Sequence, residues 1–197
     1  MTTIKNIIKK TIDELSASNK ETFKRGVEHI IYPSKKHSNR LFKVGLQKSV
    51  DTWVKIFKSN PNIFPKIYRV GKINHPNVNT HYGEIEKLDT DKAESEWDEL
   101  EEKLELCSII DSIDGKYGSD LSQLYFNYIN NKKVIIEISS KLKECDKDGY
   151  ELFIKWIELF KQCQKHKENI TGHKSRIDAH KYNFGYGLDG KLKCLDI

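Results

Sequence analysis

The chain has 197 residues, enough for one domain or two small lobes. Apolar residues make up 37% and charged ones 32%, with 34 basic against 29 acidic residues and a net charge of +5, the balance of an ordinary, rather polar globular protein. No apolar run approaches the roughly eighteen residues of a membrane span, and the N-terminus has no apolar signal stretch. A charge this small and this dispersed invites anionic partners but does not by itself call for nucleic acid.

Cysteines stand at 107, 145, 163 and 194 with no Cys-x-x-Cys pair. They read as reduced, mostly buried thiols of a cytoplasmic protein. Cys163, His166 and His173 fit no standard zinc spacing and lack an evident fourth ligand. Abundant lysine, asparagine and isoleucine suggest an AT-rich genome, viral, phage or parasitic, which would place the protein in a host cytoplasm.

In chain order, Ile4, Ile7, Ile8, Ile12 and Leu15 recur with helical spacing, so residues 3–17 read as an amphipathic helix. Residues 27–33 and 40–46 read as strands around the polar turn 34–39. The second strand carries Lys43 between apolar neighbours. Ser49 reads as the cap of a helix reaching Ser59, with Val50, Trp53, Val54 and Phe57 on one side. Asp51 is its only acid, and its place in the first turn suits the helix dipole. Residues 64–70 and 82–88 read as two further strands.

From Asp89 the composition changes, which divides the chain into residues 1–88 and 89–197. Asp91-x-x-Glu94 resembles a capping box opening a long helix to about Ile113, with Trp97, Leu100, Leu104 and Cys107 inward. Its acids Glu94, Glu96, Asp98, Glu99, Glu101, Glu102 and Glu105 read as a solvated face. Asp114, Gly115 and Gly118 break it. Residues 119–143 read as a second helical stretch, with a local strand open at residues 134–136. Asp148-Gly149 opens a third helix over 150–165, with Phe153, Trp156, Ile157 and Phe160 as core. Lys161, Lys165, His166, Lys167, Lys174 and Arg176 then form a basic approach to Asp178.

Asp178 is followed five residues later by Asn183 and thirteen residues after that by Asp196. Between the last two lies a hairpin signal, residues 184–186 and 191–195 joined at Asp189-Gly190. The layout suits phosphoryl transfer, which needs a carboxylate near the attacking hydroxyl and a few oxygen ligands for Mg²⁺.

This stretch resembles the catalytic core of the protein-kinase-like superfamily, in both the Asp-to-Asn and the Asn-to-Asp spacing. The Asp178-x-His180-x-x-Asn183 form looks closest to the small-molecule branch, the aminoglycoside- and choline-type phosphotransferases. The resemblance implies an α+β fold: a small antiparallel-sheet N-lobe over residues 1–88 and a mainly helical C-lobe over 89–197, ending in a hairpin. The chain stops one residue past Asp196, so the resemblance implies a minimal version truncated after the metal-binding aspartate, with its catalytic loop buttressed by the helices between 91 and 165.

By the same resemblance, Asp178 orients or deprotonates the acceptor, His180 donates toward the transferred phosphate, and Asn183 and Asp196 hold Mg²⁺. Lys43 matches the lysine that binds the phosphates of ATP, and Glu86 to Leu88 match the hinge against adenine, with Ile85 behind it. Two departures stand out. The turn at 34–39 lacks glycines; Lys35, Lys36 and Arg40 either supply charge in their place or form a solvated basic turn. The helix after Lys43 has no glutamate to pair with it. The implied activity is transfer of the ATP γ-phosphoryl group to a hydroxyl acceptor. The alternative is a catalytically weak or inactive kinase-like binding or inhibitor protein that acts on a protein partner.

Overall fold

The computed structural model describes residues 23–25, 29–73, 80–109, 121–174 and 176–196. The expected helix over 3–17 and the stretch from 110 to 120 lie outside them. The chain divides into two units, Met1–Leu88 and Asp89–Ile197.

In the first unit, β-branched and aromatic runs build an antiparallel sheet from β1 (Phe23–Arg25), β2 (His29–Pro33), β3 (Arg40–Leu46), β4 (Ile67–Ile73) and β5 (Thr80–Glu86). The strand order is β1-β2-β3-β5-β4. Helix α1 (Gln47–Ser59) connects β3 to β4 and turns Val50, Trp53, Val54, Ile56 and Phe57 inward, packing on β3, β4 and β5. Gly83 on β5 is glycine because any Cβ there would run into the Trp53 ring.

Several local expectations are corrected. The α1 N-cap is Leu46, without a side-chain cap, and Ser49, inside the first turn, places its hydroxyl 2.8 Å from His29 Nε2. Asp51 lies beyond the first turn of α1 and 3.1 Å from His81 Nδ1, so it ties α1 to β5 rather than serving the dipole. The fourth strand begins at Ile67, not Phe64: Phe64 stacks on Phe57 at 5.4 Å, and Pro65 has no N–H for a ladder. The fifth spans Thr80–Glu86 rather than 82–88 and is central, between β3 and β4.

The second unit holds α2 (Thr90–Leu106), α3 (Leu121–Tyr128), α4 (Lys132–Cys145), α5 (Lys147–Thr171), a 3₁₀ turn (Lys181–Asn183), and a hairpin of β6 (Phe184–Tyr186) and β7 (Leu192–Cys194). Sheet in one unit and helices with a hairpin in the other make the fold α+β. Each cap sits earlier than its sequence signal. Asp89, not Asp91, caps α2 by accepting from the Lys92 N–H at 3.1 Å. Asp146, not Asp148, caps α5 through the Gly149 N–H at 2.8 Å. The described part of the expected stretch 119–143 is two helices, split where Asn131 caps α4 through the Val134 N–H, and residues 134–136 are helical. α5 runs on to Thr171 and closes at Gly172 with φ 71°, the left-handed conformation glycine adopts freely. The described helices include none long and apolar enough to cross a membrane. Cys163 and Cys194 are buried, whereas Cys107 is half-buried and Cys145 exposed, so only half the thiols follow the expectation of burial. Burial, then a hydrogen bond with Cys145, pushes the Cys107 thiol up to about 11.

Lys103 Nζ donates to Asp146 Oδ2 at 2.7 Å, joining α2 to the α5 cap. That bond, then the Gly149 N–H, holds the Asp146 carboxyl below its ordinary value. A carboxyl depressed in the folded state contributes stability above its unfolded pKa and loses it as pH falls through the folded one. Urea midpoints of the native protein and of Asp146→Asn should therefore differ most at neutral pH and converge below about pH 4. A gap that persists at pH 2 would contradict this assignment.

Candidate active site

In the second unit, residues 176–180 alternate. Ile177 and Ala179 are buried, while Arg176, Asp178 and His180 are exposed. The backbone here turns tightly, with the Ala179 N–H on the Ile177 carbonyl at 3.1 Å, and the burial pattern leaves the other three side chains toward solvent. The Asp178 carbonyl accepts from the His180 N–H at 2.9 Å and from Asn183 Nδ2 at 3.0 Å. Asn183 Nδ2 also donates to Asp178 Oδ2 at 2.9 Å. The 3₁₀ turn closes with the Asn183 N–H on the His180 carbonyl at 2.8 Å, and the His180 ring lies against Tyr182 at 4.9 Å.

The hairpin then returns the chain to Asn183. Gly190 takes φ 73° in the turn, β6 pairs with β7 from Tyr186↔Leu192 to Phe184↔Cys194, and the Leu195 N–H donates to the Asn183 carbonyl at 2.6 Å. Asp196 is thereby fixed one residue from a bond to Asn183. Cys194 Sγ–H donates to the Asp196 carbonyl at 3.0 Å, holding that backbone in place.

With Nδ2 engaged by Asp178, the Asn183 amide is oriented, and its Oδ1 makes no hydrogen bond to a described residue. An oriented amide oxygen beside an aspartate is a donor set that fits a hard cation such as Mg²⁺, which takes few protein oxygens. Among the described residues no group of three or more His, Cys, Asp or Glu side chains that could hold a metal assembles, at this site or away from it.

Three contacts from α2 and α5 brace this loop; helical spacing marks Trp97, Trp156 and Phe160 as core but does not link them to it. Phe184, directly after Asn183, is fully buried against Trp97, Trp156 and Phe160, with ring centroids at 6.2, 5.2 and 5.2 Å. Lys181 donates to Asp98 at 2.9 Å and lies 3.3 Å from Glu94; the Asp98 bond, together with Glu94, holds its ammonium above the ordinary lysine range. The Tyr186 hydroxyl donates to Glu96 at 2.6 Å, and Lys155 bonds to both. Burial, then Glu96, raises the Tyr186 hydroxyl. Asp89 and Tyr186 also exchange backbone bonds at 2.8 and 2.9 Å. The acidic face of α2 is thus not simply solvated: Glu94, Glu96 and Asp98 hold the loop and hairpin. The signal for this in the sequence is a lysine and a tyrosine flanking Asn183, with their acids about 90 residues away and no local cue to link them.

In the first unit, Lys43 is 1% exposed, opposite Gly83 on the face covered by α1. Its Nζ lies 5.6 Å from the Trp53 and Phe57 ring centroids. A lysine with only a solvation role would not be enclosed in this way, because removing an ammonium from water is costly unless other groups compensate it. Ile85 is fully buried. The Glu86 N–H donates to the Lys66 carbonyl at 2.8 Å, and the Lys87 N–H to the Asn39 carbonyl at 2.9 Å. The Glu86 carboxylate accepts from the Lys66 N–H at 3.1 Å. Leu88 differs: its N–H and C=O make no hydrogen bond to a described residue, although the residue is buried. Buried backbone groups are seldom left unpaired, which sets Leu88 apart from Glu86 and Lys87.

At the turn over 34–39, Lys35 and Lys36 are exposed. Arg40 does not supply charge there. Its guanidinium stacks 3.8 Å over Tyr68 and lies 3.7 Å from the buried Glu84, which Arg69 also holds at 2.9 Å.

No protein-family model matches this chain, and no curated protein matches it in sequence.

Proposed function

We propose that the protein is a kinase-like phosphotransferase that moves the γ-phosphoryl group of ATP to a hydroxyl acceptor with Mg²⁺. The observation that carries this reading is the network in which Asn183 bonds through its side chain to Asp178 and through its carbonyl to Leu195, next to Asp196. Phosphoryl transfer depends mainly on positioning and on charge stabilisation, and a pre-bonded set of this kind provides positioning.

In this reading the exposed Asp178 carboxylate accepts the proton of the acceptor hydroxyl as that oxygen attacks phosphorus. Asn183 Oδ1 and the Asp196 carboxylate would hold Mg²⁺, which supplies neutralisation of phosphate charge when bound. His180 donates a hydrogen bond toward the transferred group. Lys43 binds phosphate oxygens, and the Leu88 N–H and C=O, with Glu86 before them, bind the base.

The second reading is a kinase-like binding or inhibitor protein. It is favoured by one observation: Arg40, a candidate to replace the missing glycines, is held by Glu84 and Tyr68. Incubation with γ-labelled ATP and a panel of hydroxyl compounds separates the two. Mg²⁺-dependent labelling of an acceptor supports the enzyme. ATP bound but never turned over supports the binding protein.

A further inference from the structure

We infer that Arg176 is an anion-binding arm beside Asp178, so that the acceptor is a small hydroxyl compound carrying its own phosphate or carboxylate group. The assignment of an acceptor rests on the phosphotransferase reading; the anion arm itself does not.

The first observation is placement. Arg176 precedes Asp178 by two residues, with buried Ile177 between them, and both are exposed. The second is preorganisation. The Arg176 guanidinium lies 4.0 Å over the Phe126 ring, and Lys167 Nζ donates to the Arg176 carbonyl at 2.9 Å. The ring contact restrains the guanidinium, whose fork of N–H donors can grip a carboxylate or phosphate with two parallel bonds. The third is availability. No described carboxylate pairs with Arg176, nor with Lys161, Lys165 or Lys174 nearby in the sequence. Of the other lysines in this unit, Lys103, Lys141, Lys147, Lys155, Lys181 and Lys193 each have a carboxylate partner, whereas Lys92, Lys132, Lys133, Lys143 and Lys167 have none among the described residues.

The partner that fits is compact. A single-stranded nucleic acid needs a basic track with aromatic faces open for stacking bases, and here Arg176 lies over the exposed Phe126 ring while the His180 ring lies against Tyr182.

The test is titration of the full chain with inorganic phosphate and, separately, acetate. The readout is the ¹⁵N-labelled Arg176 side-chain N–H signal, assigned by its loss in Arg176→Gln. The expected result is a saturable shift with at least one of the two anions, with global affinity at least tenfold weaker in Arg176→Gln and several-fold weaker in Arg176→Lys, which keeps the charge but loses the fork. Circular dichroism checks that both variants fold. No shift in the native protein overturns the inference, even if ATP binds. A shift without ATP binding keeps the arm and removes the phosphotransferase reading. Tighter, salt-sensitive binding of a single-stranded RNA oligomer through Arg176 would overturn the compact acceptor.

Discussion

Asp178→Asn is expected to reduce phosphoryl transfer by about 10²–10⁴-fold, the range for loss of a positioned general base, while leaving ATP affinity nearly unchanged. The substitution isolates proton acceptance. Asn183 Nδ2 donates to both the carbonyl and Oδ2 of Asp178, and an asparagine at 178 still presents a carbonyl oxygen of the same shape to that donor. The loop geometry should therefore survive, and with it the Asn183 orientation. Asp178 is exposed, so the exchange does not disturb the core. Initial rates at saturating ATP, with binding measured in parallel, check the expectation. Activity within a few-fold of native would remove Asp178 from the chemistry.

Phe184→Ala should give the largest loss of stability in the second unit, about 3–5 kcal/mol for truncating a buried aromatic ring. Phe184 is fully buried and touches three other rings, Trp97, Trp156 and Phe160. Its truncation leaves a cavity in the cluster that anchors the residue next to Asn183, so the loop loses its position as well as its support. Phe184→Leu keeps most of the volume and should cost well under half as much. Urea unfolding followed by tryptophan fluorescence reads both, since Trp97 and Trp156 flank the site. Equal effects of the two substitutions would mean that the cluster does not pack as described.

The parts of this fold that sequence made legible are those set by local chemistry. Alternating and β-branched runs marked β2 and β3, helical periodicity marked α1, α2 and α5, and Asp189-Gly190 marked the hairpin whose Gly190 takes φ 73°. Exact helix starts were not legible, because a cap is chosen by how the chain arrives. Asp89 rather than Asp91 caps α2 where its backbone is pinned to Tyr186, a partner close to the other end of that unit. The depth of Lys43 was also hidden. Alternation distinguishes two faces only when one of them meets water, and Leu41, Phe42, Lys43 and Val44 are all buried. Ion pairing on α2 was hidden for the same reason: Glu94, Glu96 and Asp98 look like a solvated row until Lys155 and Lys181 arrive from far along the chain.

Of the candidate site, the spacing of Asp178, Asn183 and Asp196 was readable because a short hairpin ties sequence distance to spatial proximity. The bracing residues were not, since Tyr186 and Lys181 acquire their roles only through α2. The place of Leu88 follows from what β5 and its neighbours do with the preceding N–H groups, which no single-residue property announces.

The central claim is that Asn183 and Asp196 hold a metal that a bound nucleotide needs. Titration calorimetry of ATP into the native protein and into Asp196→Ala, each with and without Mg²⁺, tests it most directly. The account predicts binding to the native protein that Mg²⁺ strengthens at least tenfold, and loss of that metal dependence in Asp196→Ala. Binding that is indifferent to Mg²⁺ in both proteins, or absent from both, would contradict it.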